Sequence, residues 1–115
     1  NKINKLLIVR LSSLGDILLT TPFIRTIKQK YPATEIDFVV RKEYKDLLLL
    51  NPHLRNIFIY NNDDEKLKIL KNKICENNYD LIIDLQNNLR SWMLLKCHGN
   101  SAIGFKKNNI NTQGF

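Results

Sequence analysis

Short apolar segments alternate with helical segments along the chain, and this alternation most constrains what the chain can fold into. The apolar segments are almost continuous Leu, Ile and Val, which is typical of strands buried on both faces. Parallel strands need crossover connections, usually helices, and these crossovers are right-handed. The sequence therefore predicts an α/β fold, a Rossmann-like parallel sheet with helices on both faces.

The predicted elements follow one another in the order strand, helix, strand. The predicted strands are Lys5 to Arg10, Glu35 to Arg41, Asn56 to Tyr60, Tyr79 to Leu85 and Ser101 to Phe105. The predicted helices are Asp16 to Lys30, Lys42 to Leu50, Asp64 to Asn77 and Asn88 to His98. Ligands of such sheets bind outside the carboxyl ends of the strands, so the loops after the strands are the expected site.

Length and composition limit the class of protein. The chain has 115 residues, of which 43% are hydrophobic and 25% are charged, which is ordinary for one globular domain. No segment reaches the roughly 20 consecutive apolar residues of a membrane-spanning helix. The net charge of +7 favours an anionic partner such as nucleic acid, a phosphorylated sugar or an acidic membrane surface.

Four lysines contribute to this charge on one predicted helix. Lys66, Lys68, Lys71 and Lys73 are interpreted as its solvated side. On that interpretation they do not by themselves indicate a binding surface.

The two cysteines, Cys75 and Cys97, lack the close pair spacing of metal and redox sites. We predict that both are reduced. Reduced thiols are typical of a cytoplasmic protein.

The loop after the first predicted strand reads RLSSLGD, from Arg10 to Asp16. Phosphate-binding loops need several glycines or a Gly-Lys-Ser/Thr element, but here only Gly15 is present and Asp16 would repel a phosphate. Nucleotide binding by this loop is therefore not expected. Asp16 has two open roles: it fits a capping box with Ser13, and it is a candidate general base facing the cleft.

Other polar side chains are predicted to meet at the same edge of the sheet. Arg10 and Arg41 end the first two strands, and Ser12 and Ser13 lie in the first loop. A carboxylate beside hydroxyls and arginines suits a polyhydroxylated, anionic substrate.

The segment YDLIIDLQNNLRS, residues 79–91, adds Gln86 and Arg90 as candidate substrate ligands on the same rim. The alternative for this segment is purely structural. In that case Asp84 or Asn87 forms an Asx turn or a helix cap.

Four segments in order carry a resemblance to a known family: LLIVRLSSLGDILLTTPFIRTIKQKYP, IDFVVRKEY, YDLIIDLQNNLRS and IGF. They resemble the amino-terminal domain of the ADP-heptose:lipopolysaccharide heptosyltransferases, over nearly the whole chain. The S-S-x-G-D element together with a later D-x-Q element is specific. The resemblance implies the amino-terminal half of a GT-B fold and inverting transfer of a heptose from ADP-heptose to the inner core of lipopolysaccharide.

The resemblance also implies roles for individual residues. Asp16 matches the proposed base of the family, while Ser13 and Arg10 match its acceptor side. We therefore expect Asp16 to be catalytic and the acceptor to be bound by Arg10, Ser12, Ser13, Arg41, Gln86 and Arg90. No cofactor and no metal are expected. Asn87 departs from the glycine that usually follows the D-x-Q element.

The predicted domain organisation follows from the same resemblance. Residues 1–105 are expected to form the acceptor-side domain, and residues 106–115 a polar tail or the start of a connection to a donor-binding carboxyl-terminal domain that the chain lacks. The expected partners are ADP-heptose, the lipopolysaccharide core and the cytoplasmic face of the inner membrane, where the protein would be peripheral. Nucleic acid is not expected, because no aromatic and basic surface motif is present.

Two other functions are compatible with a small basic α/β domain. One is a catalytically inactive, stand-alone module that binds an anionic sugar or nucleotide. The other is a phospho-acceptor signalling domain, which is disfavoured because the third predicted strand ends in Tyr60-Asn61, where the acceptor aspartate would stand.

Overall fold

The computed structural model describes residues 3–86 and 102–104. The strands are β1 Lys5–Val9, β2 Glu35–Arg41, β3 Leu54–Tyr60, β4 Leu81–Asp84 and β5 Ala102–Gly104. The helices are α1 Leu14–Lys30, α2 Lys45–Leu49 and α3 Asp64–Asn77, and a 3₁₀ turn, Lys42–Tyr44, leads into α2. The predicted helix Asn88 to His98 lies outside the described residues. No helix in the described part is long and apolar enough to cross a membrane.

The five strands form one parallel sheet in the order β3-β2-β1-β4-β5. The first two crossovers move outward from β1 through β2 to β3, and the next returns the chain to the other side of β1. The loops after β1 and β4 therefore leave the sheet at a topological switch point, where open α/β sheets bind ligands. The predicted α/β parallel sheet is confirmed.

Helices cover both faces of this sheet. Alternate residues of β1 point to opposite sides, so Leu6 and Ile8 belong to one core and Leu7 and Val9 to the other. The first core packs against α1 and α2 through Ile17, Ile24 and Leu48. The second core packs against α3 through Leu70 and Ile74. The near-continuous apolar strands of the sequence thus reflect burial on two sides.

Several element boundaries differ from the predicted ones. Helix α1 begins at Leu14 rather than at residue 16, because Ser13 is its N-cap. The predicted helix from 42 to 50 divides into the 3₁₀ turn and the five-residue α2. Strand β4 begins at Leu81, since Asp80 is used instead to accept hydrogen bonds from the backbone N–H groups of Asn4 and Lys5.

The predicted reduced state of the cysteines is wrong for Cys75, which is disulfide-bonded. A disulfide depends on which thiols the fold brings within bonding distance. Sequence spacing does not report that distance. The same prediction for Cys97 falls outside the described residues.

A buried carboxylate that the sequence analysis missed links β2, β3 and the segment before β4 near the amino ends of these strands. Asp37 on β2 is fully buried, and its Oδ1 accepts from Arg55 Nε at 3.0 Å and from the Asn56 backbone N–H at 3.1 Å. Its Oδ2 accepts from Arg55 Nη2 at 2.7 Å and from the Tyr79 hydroxyl. Burial, with the hydrogen bond to Asp37, raises the pKa of Tyr79, so this hydroxyl stays a proton donor. Asp37 is thus a structural acid, remote from the carboxyl ends of the strands.

Candidate functional site

Backbone hydrogen bonds hold the loop after β1 against the ends of its two neighbouring strands. The Arg10 N–H donates to the Val39 carbonyl at 3.1 Å, and the Arg41 N–H donates to the Leu11 carbonyl at 3.2 Å. On the other side, the Leu85 N–H donates to the Val9 carbonyl at 2.9 Å. The carboxyl ends of β1, β2 and β4 therefore present their following residues at one edge.

Asp16 has the capping role that its spacing from Ser13 predicts. Ser13 is the N-cap of α1, and the two residues form a capping box. Asp16 Oδ2 accepts from Ser13 Oγ at 3.1 Å and from the Ser13 backbone N–H at 3.5 Å. The peptide bond between Ser12 and Ser13 is cis. Capping fixes the carboxylate in the first turn of α1, at the loop that leaves β1.

Arg10 connects this carboxylate to the end of β4. Arg10 Nη2 lies 2.6 Å from Asp16 Oδ2, and Arg10 Nη1 donates to the Leu85 carbonyl at 2.5 Å. The third donor, Nε, is buried and has no hydrogen-bond partner among the described residues. The guanidinium is therefore held in one orientation while retaining an unused N–H.

The two oxygens of the Asp16 carboxylate have different environments. Oδ2 carries the contacts with Arg10 and Ser13, whereas Oδ1 accepts no hydrogen bond from residues 3–86. The hydrogen bond from Arg10, and then those from Ser13, hold the pKa of Asp16 below its usual range. With 46% of its side chain exposed, the carboxylate is ionised at neutral pH and one of its oxygens remains available to a ligand.

Gln86 lies on the predicted rim, where it clamps the loop after β1. Its Oε1 accepts from the backbone N–H of Leu11 at 3.0 Å and of Ser12 at 3.4 Å. This clamp joins the D-x-Q segment to the S-S-x-G-D segment. The structure thus brings together Arg10, Ser12, Ser13, Asp16 and Gln86.

The structure does not bring the Arg41 guanidinium to Asp16. Arg41 Nη2 lies 3.5 Å from Glu43 Oε2, so its described ion pair is with a neighbour in the chain. Only the backbone of Arg41 contacts the first loop. Arg90 lies outside the described residues, and its predicted role stays a prediction.

A pocket of about 360 Å³ opens beside Asp16 and Arg10. Its remaining lining is mostly apolar and comes from α1 and from the end of β4: Leu19, Thr20, Phe23, Ile83 and Leu85. The sequence analysis did not select Leu19 or Phe23. Their spacing of four places them on one helix face, and the 71% exposure of Leu19 shows that this face is not packed into the core.

No group of three or more His, Cys, Asp or Glu side chains in the described ranges could hold a metal ion. Among the described residues, the rim presents the exposed carboxylate of Asp16 beside hydroxyl, guanidinium and carboxamide groups. This set can accept a proton and hold an anionic, hydroxyl-bearing ligand. Metal independence itself stays a prediction.

No family model matches the chain, but curated proteins do. Lipopolysaccharide heptosyltransferase 3 of Escherichia coli K12 is 34% identical over 90 residues, which are 72% of this chain and 26% of that protein. Lipopolysaccharide heptosyltransferase 1 of Campylobacter coli is 29% identical over 110 residues, 92% of this chain and 32% of that protein. The chain thus spans about a quarter to a third of the length of these relatives.

Solved structures show the same fold. A glycosyl transferase family 9 structure from Veillonella parvula matches 97% of this chain and 35% of its own, with a TM-score of 0.79 at 22% identity. The E. coli heptosyltransferase WaaC with ADP matches 89% of this chain and 33% of its own, with a TM-score of 0.70 at 27% identity. The resemblance read from the sequence motifs is confirmed, and it covers the amino-terminal part of these proteins.

Proposed function

We propose, from the premise that this chain is a relative of the lipopolysaccharide heptosyltransferases over their amino-terminal part, that it carries the acceptor side of a heptosyl transfer site. The donor is ADP-heptose and the acceptor is the inner core of lipopolysaccharide. The observation that carries the proposal is the asymmetry of Asp16, whose Oδ2 is anchored by Arg10 and Ser13 while Oδ1 is left for a ligand.

The proposed reaction is a single displacement. Asp16 Oδ1 takes the proton of an acceptor hydroxyl, and that oxygen forms a bond to the anomeric carbon of the heptose. The bond between the anomeric carbon and the diphosphate oxygen breaks, and its electron pair leaves with ADP. Attack opposite the leaving group inverts the anomeric configuration.

The low pKa of Asp16 sets a condition on this step. A strongly ionised carboxylate is a weak base, so positioning of the hydroxyl must supply much of the rate enhancement. Loss of the Arg10 contact would strengthen the base. Phosphate and carboxylate groups of the acceptor are suited to compete for that guanidinium, because 22% of the Arg10 side chain is exposed and arginine binds such groups in a bidentate manner.

Gln86 and the apolar side of the pocket support this acceptor. Gln86 accepts hydrogen bonds from the Leu11 and Ser12 N–H groups and so holds in place the loop that leads to Asp16. The exposed pair Leu19 and Phe23 offers a surface against which the apolar face of a sugar ring can pack. Ser12, Arg41 and Arg90 are further candidates for hydrogen bonds to the acceptor.

The donor half of the site belongs to a carboxyl-terminal domain in this proposal. Cations of that domain would stabilise the departing diphosphate, without a metal or other cofactor. Since the acceptor is a membrane glycolipid, the protein would work peripherally at the cytoplasmic face of the inner membrane.

The test is an assay of the intact protein with ADP-heptose and a lipopolysaccharide core that lacks the accepting heptose. We expect release of ADP together with a gain of one heptose mass on the acceptor. Binding of donor or acceptor with no turnover under any condition would contradict the proposal. It would favour the inactive sugar-binding module instead.

A further inference from the structure

Four lysines converge on a groove of about 510 Å³ along the outer edge of β3. Lys42 is the first residue of the 3₁₀ turn, Lys45 is the first residue of α2, and Lys66 and Lys73 come from α3. Because β3 is at one end of the sheet order, one of its backbone edges has no neighbouring strand within residues 3–86 and 102–104. None of the four lysines forms an ion pair with another described residue.

This arrangement revises the interpretation of the lysines on α3 as a solvated side. Lys66 and Lys73 lie seven residues apart and, with Ile69 and Leu70 between them, line the groove. Residues at this spacing share one helix face. Lys68 and Lys71 are not part of the lining, so only they retain the original interpretation.

Exposed apolar side chains follow Lys45 in the chain. Leu47, Leu49 and Leu50 are exposed around the end of α2, Leu50 to 91%, whereas Leu48 between them is buried. Leu49 follows Lys45 by four residues and so neighbours it on the helix. We call the four groove lysines together with Leu47, Leu49 and Leu50 the lysine–leucine face.

Protection of an edge strand does not account for this face. Lysines at a sheet edge commonly prevent pairing with other chains. Exposed leucines have the opposite effect, because contiguous exposed apolar surface favours association. Lysines combined with exposed leucines are instead the composition of an element that lies in a membrane interface.

The acidic groups near the face lie outside its groove. None of the described acidic residues lines the groove. Glu43, in the 3₁₀ turn, is paired with Arg41 at 3.5 Å, and Asp46 is the exposed acid within α2. Asp64 and Glu65 are exposed in the first turn of α3, next to Lys66 in the chain.

We propose that the lysine–leucine face is the surface by which this protein lies on an anionic bilayer. The lysines contact lipid phosphates, and the leucines insert among the upper parts of the acyl chains. The face lies at β3, two strands from β1, while the pocket opens between α1 and β4 on the other side of β1. Docking there leaves Asp16 accessible. This inference rests on the proposed function in one respect, namely that a membrane glycolipid as acceptor brings the protein to a membrane.

The experiment is co-sedimentation of the intact protein with vesicles of phosphatidylcholine alone and with 30% phosphatidylglycerol. The groove variant carries Lys42→Gln, Lys45→Gln, Lys66→Gln and Lys73→Gln. A control variant with the same charge change carries Arg25→Gln, Lys30→Gln, Lys68→Gln and Lys71→Gln, all outside the groove. A third variant, Leu49→Ser with Leu50→Ser, tests insertion separately from charge.

Wild type is expected to bind the anionic vesicles and not the neutral ones. Since a lysine near an anionic leaflet contributes about a fivefold gain in partitioning, the groove variant should lose at least about 100-fold and the control less than about 10-fold. The leucine variant should lose affinity while keeping its salt dependence. Equal losses for groove and control variants would overturn the proposal. Binding of polyglutamate in place of vesicles would also overturn it, and would indicate an acidic protein partner.

A soluble, lipid-free acceptor separates this result from the transferase proposal. The groove variant should transfer heptose to that acceptor at the wild-type rate. If no variant, wild type included, transfers heptose, the proposed function fails while the vesicle result stands.

Discussion

The Arg10 guanidinium and the Asp16 carboxylate meet at 2.6 Å through Nη2 and Oδ2, across the loop that joins β1 to α1. Arg10 also donates to the Leu85 carbonyl, so the pair links the ends of two parallel strands to the first turn of a helix. The contact keeps Asp16 ionised and at the same time reduces its strength as a base. In the proposed mechanism, the transfer rate therefore depends on how firmly Arg10 holds this carboxylate.

Replacing Arg10 with Gln should move the acid limb of the pH dependence of kcat/KM to higher pH. The folded-state pKa of Asp16 is lowered mainly by its hydrogen bond from Arg10, so loss of the cation lets the pKa rise toward its ordinary value. Since the base form is the unprotonated one, activity then begins to fall at a higher pH than in wild type. The KM for the acceptor should rise as well, because Arg10 is a proposed anion ligand.

Arg41→Gln is the matched control for Arg10→Gln. It also removes one arginine at a strand end, but its described ion pair is with Glu43, so the acid limb should stay in place. Equal acid limbs for wild type and Arg10→Gln, measured between pH 3 and 8, would show that the pair does not govern the base.

Gln86→Leu should loosen the loop after β1. The Gln86 side-chain oxygen accepts from two backbone N–H groups, of Leu11 and Ser12, and loss of such bonds costs about 1 to 3 kcal/mol in stability. Hydrogen exchange at these two amides should accelerate more than at strand β2. Gln86→Glu keeps an acceptor oxygen at that position and should retain the protection. Unchanged exchange in Gln86→Leu would count against the clamp.

Asp37→Asn should destabilise the fold without acting on the proposed transfer site. Breaking a buried ion pair costs about 3 to 5 kcal/mol, whereas Tyr79→Phe removes one donor and should cost about 1 to 3 kcal/mol. Urea unfolding of the single and double variants gives their coupling energy, expected to exceed about 0.5 kcal/mol. Glu35→Gln, at the exposed end of the same network, should cost less than about 1 kcal/mol. Strict additivity of Asp37→Asn and Tyr79→Phe would contradict the network.

The sequence was sufficient for the sheet and for the capping role of Asp16. Continuous apolar strands and the spacing of Ser13 and Asp16 are local patterns, and both led to the observed structure. The role of Gln86 was harder to predict from the sequence. Its partners lie about 75 residues away in the chain, so only the fold reveals that its oxygen faces two backbone N–H groups.

The buried acid and the lysine groove were missed for the same reason. Asp37 interrupts an apolar strand, which is a visible signal, but its partners Arg55 and Tyr79 are set by strand order rather than by spacing. Lys66 and Lys73 belong to a regular helical pattern. They form a groove lining only because the sheet edge brings Lys42 and Lys45 to the same groove. Local periodicity predicts which face a residue occupies, and topology decides what that face meets.

The most direct test of Asp16 as the general base is the transfer rate of Asp16→Asn in the intact protein. Asn preserves the size and capping ability of the side chain but cannot take the proton, so kcat should fall by about 10² to 10⁴-fold in a protein that stays folded at the assay temperature. Asp64→Asn removes an acid from the first turn of α3 in the same way and should leave kcat within twofold of wild type. A folded Asp16→Asn protein that retains more than a tenth of wild-type kcat would contradict the account.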